Sequence, residues 1–115
     1  DLHAAVARHL RTILDHGRGG DSLYAFGWLL DIARGLYTLQ HNGVIAKTAA
    51  GEWALRQGLC PDAEALRLAL RVRQDPSLIH QEEIRRQACA LTPAICSFAA
   101  VLHQALERRG VPIPE

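Results

Sequence analysis

The chain has 13 lysine and arginine residues, and only one of them is a lysine. This residue, Lys47, lies in the segment VIAKTAAGEW, residues 44–53. Thr48 is predicted to cap a short third helix, which would place Lys47 directly before the positive end of that helix. A cation is mildly unfavourable there because the helix end is itself positive. An anion such as phosphate would remove this conflict, since it binds both the free helix N–H groups and the ammonium group. The sequence therefore predicts an anion site at Lys47, and the alternative is a solvated lysine in a turn.

A second candidate pair, Arg34 and His41, lies near the end of the predicted second helix. An arginine that is followed several residues later by a histidine resembles the ribonuclease motif of HEPN-type helical domains, in which both side chains act on an RNA phosphate. This resemblance consists of two residues. It supports one alternative function, a standalone nucleotide- or RNA-binding module.

Residue spacing excludes most other catalytic and metal sites. Glu82 and Glu83 are adjacent, and their side chains would project about 100° apart on a helix, so they cannot converge on one metal ion. His9 and His16 could share a helix face, but zinc needs at least one more ligand. We therefore expect these histidines to be solvated, and we predict no metal site in this chain.

The helical elements follow from apolar residues that recur three and four positions apart along almost the whole chain, which predicts an all-α fold. Five or six helices form a single-domain bundle over residues 1–110, and residues 111–115 form a tail. The predicted bounds are Leu2 to His16, Asp21 or Ser22 to Leu39, Thr48 to Gly58, Asp62 to Gln74, and a kinked helix or two helices from Ile79 to Arg109. The second helix is apolar on most sides and should be central, and Asn42 and Gly43 should close it.

Charge and hydropathy exclude several classes of partner. The 115 residues include 13 basic and 12 acidic residues with interleaved signs, so no basic stripe is available for nucleic acid or a membrane surface. No apolar run approaches the roughly 20 residues that cross a bilayer, and no signal peptide opens the chain. We expect a cytoplasmic protein without a membrane or nucleic-acid partner.

Two further features concern the cysteines and the chain ends. Cys60, Cys89 and Cys96 lack metal-ligand spacing, and we expect all three to be reduced and largely buried. The chain begins at Asp1 and contains no methionine. We interpret this as a processed chain or as an excised domain of a longer protein.

The stretch from residue 30 to residue 55 resembles the C-terminal helical domain of the aminoglycoside adenylyltransferases that modify streptomycin and spectinomycin. In that family, a helix with an arginine and an aromatic pair ends in a glycine turn, which is followed by a lysine, two alanines and a Trp-Ala pair. The matching residues are Arg34, Tyr37, Gly43, Lys47, Ala49, Ala50, Trp53 and Ala54. The helices before and after this stretch match the family in order and approximate length.

The resemblance implies one half of an ATP-dependent enzyme that adenylylates a hydroxyl group of an antibiotic and so gives resistance. Lys47 and Arg34 would bind the phosphates of ATP, and an N-terminal nucleotidyltransferase domain would hold Mg²⁺. Asp21 is the best match to the acidic residues that face the small cationic substrate. The segment around Asp21 is about three residues longer than in the family and lacks an expected tryptophan, so the phosphate contacts carry over better than the substrate contacts. Trp53 is expected to be a core residue.

The sequence has no carboxylates arranged to hold the magnesium ions of phosphoryl transfer. We therefore expect no catalytic residues here and an inactive chain, although the parent protein would be a nucleotidyltransferase. The alternatives are the HEPN-like module and a helical interaction domain that has lost its site. An isolated helical half would expose the apolar surface that meets its partner domain, so it could form a homodimer.

Overall fold

The computed structural model describes residues 1–17 and 23–115, and within these ranges the chain forms helices, turns and no strand. The α-helices are α1 (Leu2–His16), α2 (Leu23–His41), α3 (Lys47–Arg56), α4 (Ala63–Gln74), α5 (Glu82–Cys89) and α6 (Thr92–Arg108), and a 3-10 helix (Pro76–His80) lies between α4 and α5. The predicted all-α bundle of five to six helices is confirmed.

Acidic side chains cap the first turns of two helices. Asp1 accepts hydrogen bonds from two N–H groups of the first turn of α1, at 2.8 and 3.4 Å. Asp62 accepts one from the N–H of Ala65 at 3.1 Å, at the start of α4. These carboxylate oxygens satisfy N–H groups that have no partner within the helix, so α1 and α4 begin directly after Asp1 and Asp62. The predicted cap of α2, Asp21 or Ser22, lies outside the described residues.

Left-handed residues end three of the helices. Asn42 has a φ angle of 53° after α2, and Gly58 and Gly110 have φ angles of 66° and 67° after α3 and α6. This conformation turns the chain away from the helix axis and suits asparagine and glycine. The prediction that Asn42 and Gly43 close the second helix is therefore confirmed for Asn42, whereas Gly43 is not left-handed.

The last helical stretch divides into two helices, α5 and α6, which are bent by 50° relative to each other. Within the described ranges, no single helix is both long and apolar enough to cross a membrane, and α5 and α6 meet that requirement only as a bent pair.

The central helix of the bundle is α2, which contacts each of the five other α-helices. Its fully buried side chains include Phe26, Leu29 and Leu30, which share the core with Leu66 of α4 and Phe98 of α6. Burial of each such side chain contributes about 1.5–3 kcal/mol. The polar residues of α2 therefore lie on the helix that packs against all the other α-helices.

A glycine brings α3 close to α2 and α4. A Cβ atom at Gly51 would lie 2.8 Å from Cδ2 of both Leu30 and Leu70, so a side chain at this position would force the leucines to move. Gly51 lies one turn after Lys47 on α3. The close packing at Gly51 therefore holds the beginning of α3, with Lys47, against α2.

Candidate functional site

The centre of the candidate site is an ion pair between α2 and α3. Lys47 Nζ lies 3.1 Å from Asp31 Oδ1, and the two side chains are 27% and 11% exposed. Among the acidic residues of the described ranges, Asp31 is the only one that is not exposed. A carboxylate is rarely withdrawn from water unless a cation or a hydrogen-bond donor compensates its charge, and here Lys47 does so.

His9 extends this ion pair to α1. Its Nε2 atom lies 3.3 Å from Asp31 Oδ2, and its ring centroid lies 6.3 Å from that of Trp28. Burial by itself raises the pKa of Asp31, but hydrogen bonds from His9 and Lys47 and their positive charge outweigh burial and lower the pKa below its ordinary value. Asp31 is therefore ionised at neutral pH and links three helices.

Arg34 lies one turn after Asp31 on α2 and fixes the segment that leads into α3. Its Nε atom donates a hydrogen bond to the carbonyl oxygen of Ile45 at 3.1 Å. Within the described residues, no further hydrogen bond or ion pair involves its guanidinium group. The two Nη atoms can therefore bind an anion in the forked geometry that suits phosphate and carboxylate.

The first turn of α3 has no capping side chain. The helix begins at Lys47 after Ala46, which is extended (φ −67°, ψ 153°) and makes no side-chain cap. The prediction that Thr48 caps this helix is therefore wrong. The hydrogen bond from Arg34 fixes Ile45, and the N-cap position is Ala46, two residues earlier than predicted, so that the helix begins at Lys47. Lys47 remains at the positive end of the helix, where uncapped N–H groups attract an anion.

A cavity of about 210 Å³ adjoins these polar groups. Its lining residues come from α1, α2, α6 and the loop before α3, and they are Leu2, Ala5, Val6, His9, Asp31, Arg34, Gly35, Thr38, Val44 and Leu102. A Cβ atom at Gly35 would lie 3.1 Å from Leu102 and 3.2 Å from Val6, so glycine here lets the three helices meet closely. The cavity has mainly aliphatic walls, with His9, Asp31 and Arg34 as its charged and titratable groups.

Comparison with known protein families assigns the bundle that carries this site. Residues 1–97 match the family model described as "Aminoglycoside adenylyltransferase, C-terminal domain", and this match includes α1 to α5 and the ion-pair cluster of His9, Asp31 and Lys47. The chain belongs to this family. Comparisons with curated proteins and with solved structures gave no match. The resemblance inferred from the stretch around Lys47 is thus confirmed over most of the chain.

In this adenylyltransferase C-terminal domain, the two predicted phosphate-binding residues lie on the same side of α2. Lys47 pairs with Asp31, while Arg34 binds the backbone two residues before Lys47. Asp21, the predicted substrate-binding residue, lies outside the described residues. Sequence reasoning missed Asp31, and it expected a solvated His9 rather than one that pairs with Asp31. A signal for Asp31 was present, because it is the only acidic residue of α2, a helix that is largely apolar.

His41 belongs to an aromatic cluster at the other end of α2. Its ring stacks on Tyr37 with a centroid distance of 4.3 Å, and it meets the edge of Trp53 at 5.7 Å. Trp53 is 8% exposed, so its prediction as a core residue is confirmed. Arg34 instead binds Ile45, and the family match assigns the chain to the adenylyltransferases. The HEPN-like pair of Arg34 and His41 is therefore not favoured.

The described side chains do not form a metal-binding group. In residues 1–17 and 23–115, no group of three His, Cys, Asp or Glu residues could hold a metal ion. Asp31 faces two nitrogen donors rather than other carboxylates, which is the reverse of a magnesium site. The described residues therefore do not fit Mg²⁺.

The three cysteines are free thiols with different environments. Cys60 is buried, and burial raises its pKa to about 11. Cys89 and Cys96 are exposed, so the prediction that all three are largely buried is wrong for these two. Their neighbours Ala88 and Ile95 occupy the buried faces of α5 and α6, which leaves the cysteines toward solvent.

Proposed function

We propose that this domain binds the phosphates of ATP through Lys47 and Arg34 as part of an aminoglycoside adenylyltransferase. The main support is the start of α3, which begins at Lys47 and has no side-chain cap on its first N–H groups. Arg34 is tied to Ile45 by Nε, which leaves its Nη atoms for a ligand. Two cations and a helix N-terminus on one side of the bundle suit a polyanion such as triphosphate.

The reaction would be the ATP-dependent adenylylation of a substrate hydroxyl group, with pyrophosphate as the leaving group. The transition state of phosphoryl transfer spreads negative charge over the phosphate oxygens, and positioned cations stabilise that charge. Lys47 and Arg34 would supply part of this charge. Mg²⁺, held with ATP by an N-terminal nucleotidyltransferase domain, would supply the rest. The chain by itself would therefore bind phosphates without catalysing the transfer.

The substrate would be a small cationic aminoglycoside, because a molecule with several ammonium groups requires carboxylates for recognition. Asp21 remains our proposed contact to the substrate. An enzyme that uses ATP to inactivate such a drug would act in the cytoplasm and give antibiotic resistance. The N-terminal domain of the same protein is the proposed partner, and the isolated chain could also form a homodimer.

The phosphate role can be tested directly on the 115-residue chain. Binding of inorganic tripolyphosphate is followed by NMR for the wild-type chain and for the variants Lys47→Ala and Arg34→Ala. Each charged hydrogen bond contributes about 1.5–3 kcal/mol, so each variant should bind about tenfold more weakly or worse.

The matched control is Arg67→Ala, because Arg67 forms an exposed surface pair with Glu64 on α4. This variant also loses one positive charge, but it should keep wild-type affinity. If tripolyphosphate bound equally well to Lys47→Ala and to the wild-type chain, the proposed phosphate site would be wrong.

A further inference from the structure

The carboxylate of Asp31 stands where a ligand anion would be expected, between two nitrogen donors. Its Oδ1 lies 3.1 Å from Lys47 Nζ and its Oδ2 lies 3.3 Å from His9 Nε2. The Asp31 side chain is 11% exposed and cannot simply turn into solvent as a surface carboxylate does. A phosphate that approaches Lys47 therefore meets a negative charge that is already paired with this lysine.

We propose that Asp31 competes with the phosphate anion for Lys47, and that protonated His9 relieves this competition by pairing with the Asp31 carboxylate. This inference rests on the proposed function. It names Asp31 and His9 as the residues that set the affinity of the phosphate site and its dependence on pH.

The charges of the site give the direction of the effect. With neutral His9, Asp31 cancels one of the two positive charges of Lys47 and Arg34. With protonated His9, the cluster regains that charge, and Lys47 is less strongly held by Asp31. Electrostatic interaction energy is proportional to the charges and falls with distance, so anions should bind more tightly to the protonated cluster. Imidazole changes its charge in the range between about pH 5 and 8.

The neighbourhood of His9 contains no competing acidic group within the described residues other than Asp31. The charged groups that share the cavity or the ion-pair cluster with His9 are Asp31 and Arg34 of α2 and Lys47 of α3. On α6, which also packs against α1, His103 Nδ1 and Glu107 Oε1 pair with each other at 2.9 Å. Protonation of His9 is therefore expected to act mainly on Asp31.

The first experiment measures tripolyphosphate binding to the wild-type chain and to Asp31→Asn at pH 8 by titration calorimetry. Asparagine keeps the shape of aspartate and removes its charge, so the variant should bind about tenfold more tightly. Asp15→Asn is the matched control, because Asp15 forms an exposed pair with Arg11. Equal or weaker binding by Asp31→Asn would overturn the competition.

The second experiment repeats the comparison between pH 8 and pH 5.5. Titration of the ligand affects both proteins equally and cancels in the ratio of their affinities. This ratio should fall from about tenfold to about threefold as His9 becomes protonated. In the background of His9→Gln the ratio should stay constant, whereas His103→Gln should behave like the wild type. A wild-type ratio that does not change with pH would overturn the role of His9.

A third measurement needs no variant and therefore does not depend on how the variants fold. Linkage is reciprocal, so if protonated His9 favours the anion, the anion must favour protonated His9. Addition of tripolyphosphate should raise the midpoint of the His9 titration, measured by NMR of its imidazole ring. An unchanged or lower midpoint would contradict the inference.

Binding that requires Lys47 but is unaffected by Asp31→Asn would overturn this inference alone, whereas binding that does not require Lys47 would overturn the proposed function.

Discussion

Replacement of Lys47 and Asp31, separately and together, should show that their ion pair stabilises the bundle. The side chains are 27% and 11% exposed and join α3 to α2. Exposed ion pairs contribute about 0.2–1 kcal/mol, whereas removal of one partner from a buried pair costs about 3–5 kcal/mol. For this intermediate exposure we expect a coupling energy of about 1–2 kcal/mol.

The coupling energy is obtained from urea unfolding of the wild type, Lys47→Met, Asp31→Asn and the double variant, followed by circular dichroism at pH 7. The coupling energy is the sum of the stability losses of the two single variants minus the stability loss of the double variant. The Arg11–Asp15 pair of α1 provides a matched cycle, because its side chains are 37% and 50% exposed. That pair should couple by at most about 0.5 kcal/mol.

The pH dependence gives an independent check. The pKa of Asp31 is lowered in the folded chain, so the folded chain stabilises the charged carboxylate more than the unfolded chain does. Its contribution to stability is fully present above the unfolded-state pKa of about 3.9 and is lost as the pH falls through the lower folded-state pKa. The coupling energy should therefore be present at pH 7 and weaken as the pH falls below about 3.9. A coupling below about 0.3 kcal/mol at pH 7, or one that does not weaken as the pH falls below about 3.9, would refute this reasoning.

Two further predictions concern packing and thiol chemistry. Gly51→Ala should lower the free energy of unfolding by about 1–3 kcal/mol in urea denaturation, because the new methyl group would lie 2.8 Å from Leu30 and Leu70. Gly110→Ala is a poor control, because Gly110 has a φ angle of 67° although the space around it is open. Ala49→Gly, on the exposed face of α3, is the better comparison. A thiol-reactive dye should label two cysteines of the native chain at pH 8 and reach Cys60 only on unfolding, since Cys60 is buried and its pKa is raised to about 11. Rapid native labelling of all three thiols would contradict this assignment.

The helices could be predicted from the sequence because their signals are local. Apolar spacing indicates the helical period. Asp1 and Asp62 cap helix starts by accepting hydrogen bonds from neighbouring N–H groups, and Asn42 ends α2 through its own backbone conformation. The prediction at Thr48 was wrong because the start of α3 depends on Arg34, which reaches the chain at Ile45 from another helix. A capping residue can be recognised in the sequence, but a tertiary hydrogen bond that moves the helix start cannot.

The candidate site was predictable only in part for the same reason. Lys47 and Arg34 could be found because the family pattern contains them within one stretch. Asp31 lies in the same stretch but outside that pattern, and His9 lies on a separate helix, so their contact depends on how α1 and α3 pack on α2. The exposure of Cys89 and Cys96 is a similar case, because it depends on which faces of α5 and α6 the bundle covers.

Asp31 should affect stability and ligand binding in opposite directions. Because its carboxylate pairs with Lys47 and His9, Asp31→Asn should lower the free energy of unfolding at pH 7. Because the same carboxylate repels an anion at Lys47, this substitution should also increase the affinity for tripolyphosphate. A purely structural role would weaken both, since a less ordered Lys47 binds less well. A role limited to ligand repulsion would leave stability unchanged. Loss of stability together with tighter binding in one variant is therefore the combination that distinguishes competition for Lys47 from either simpler explanation.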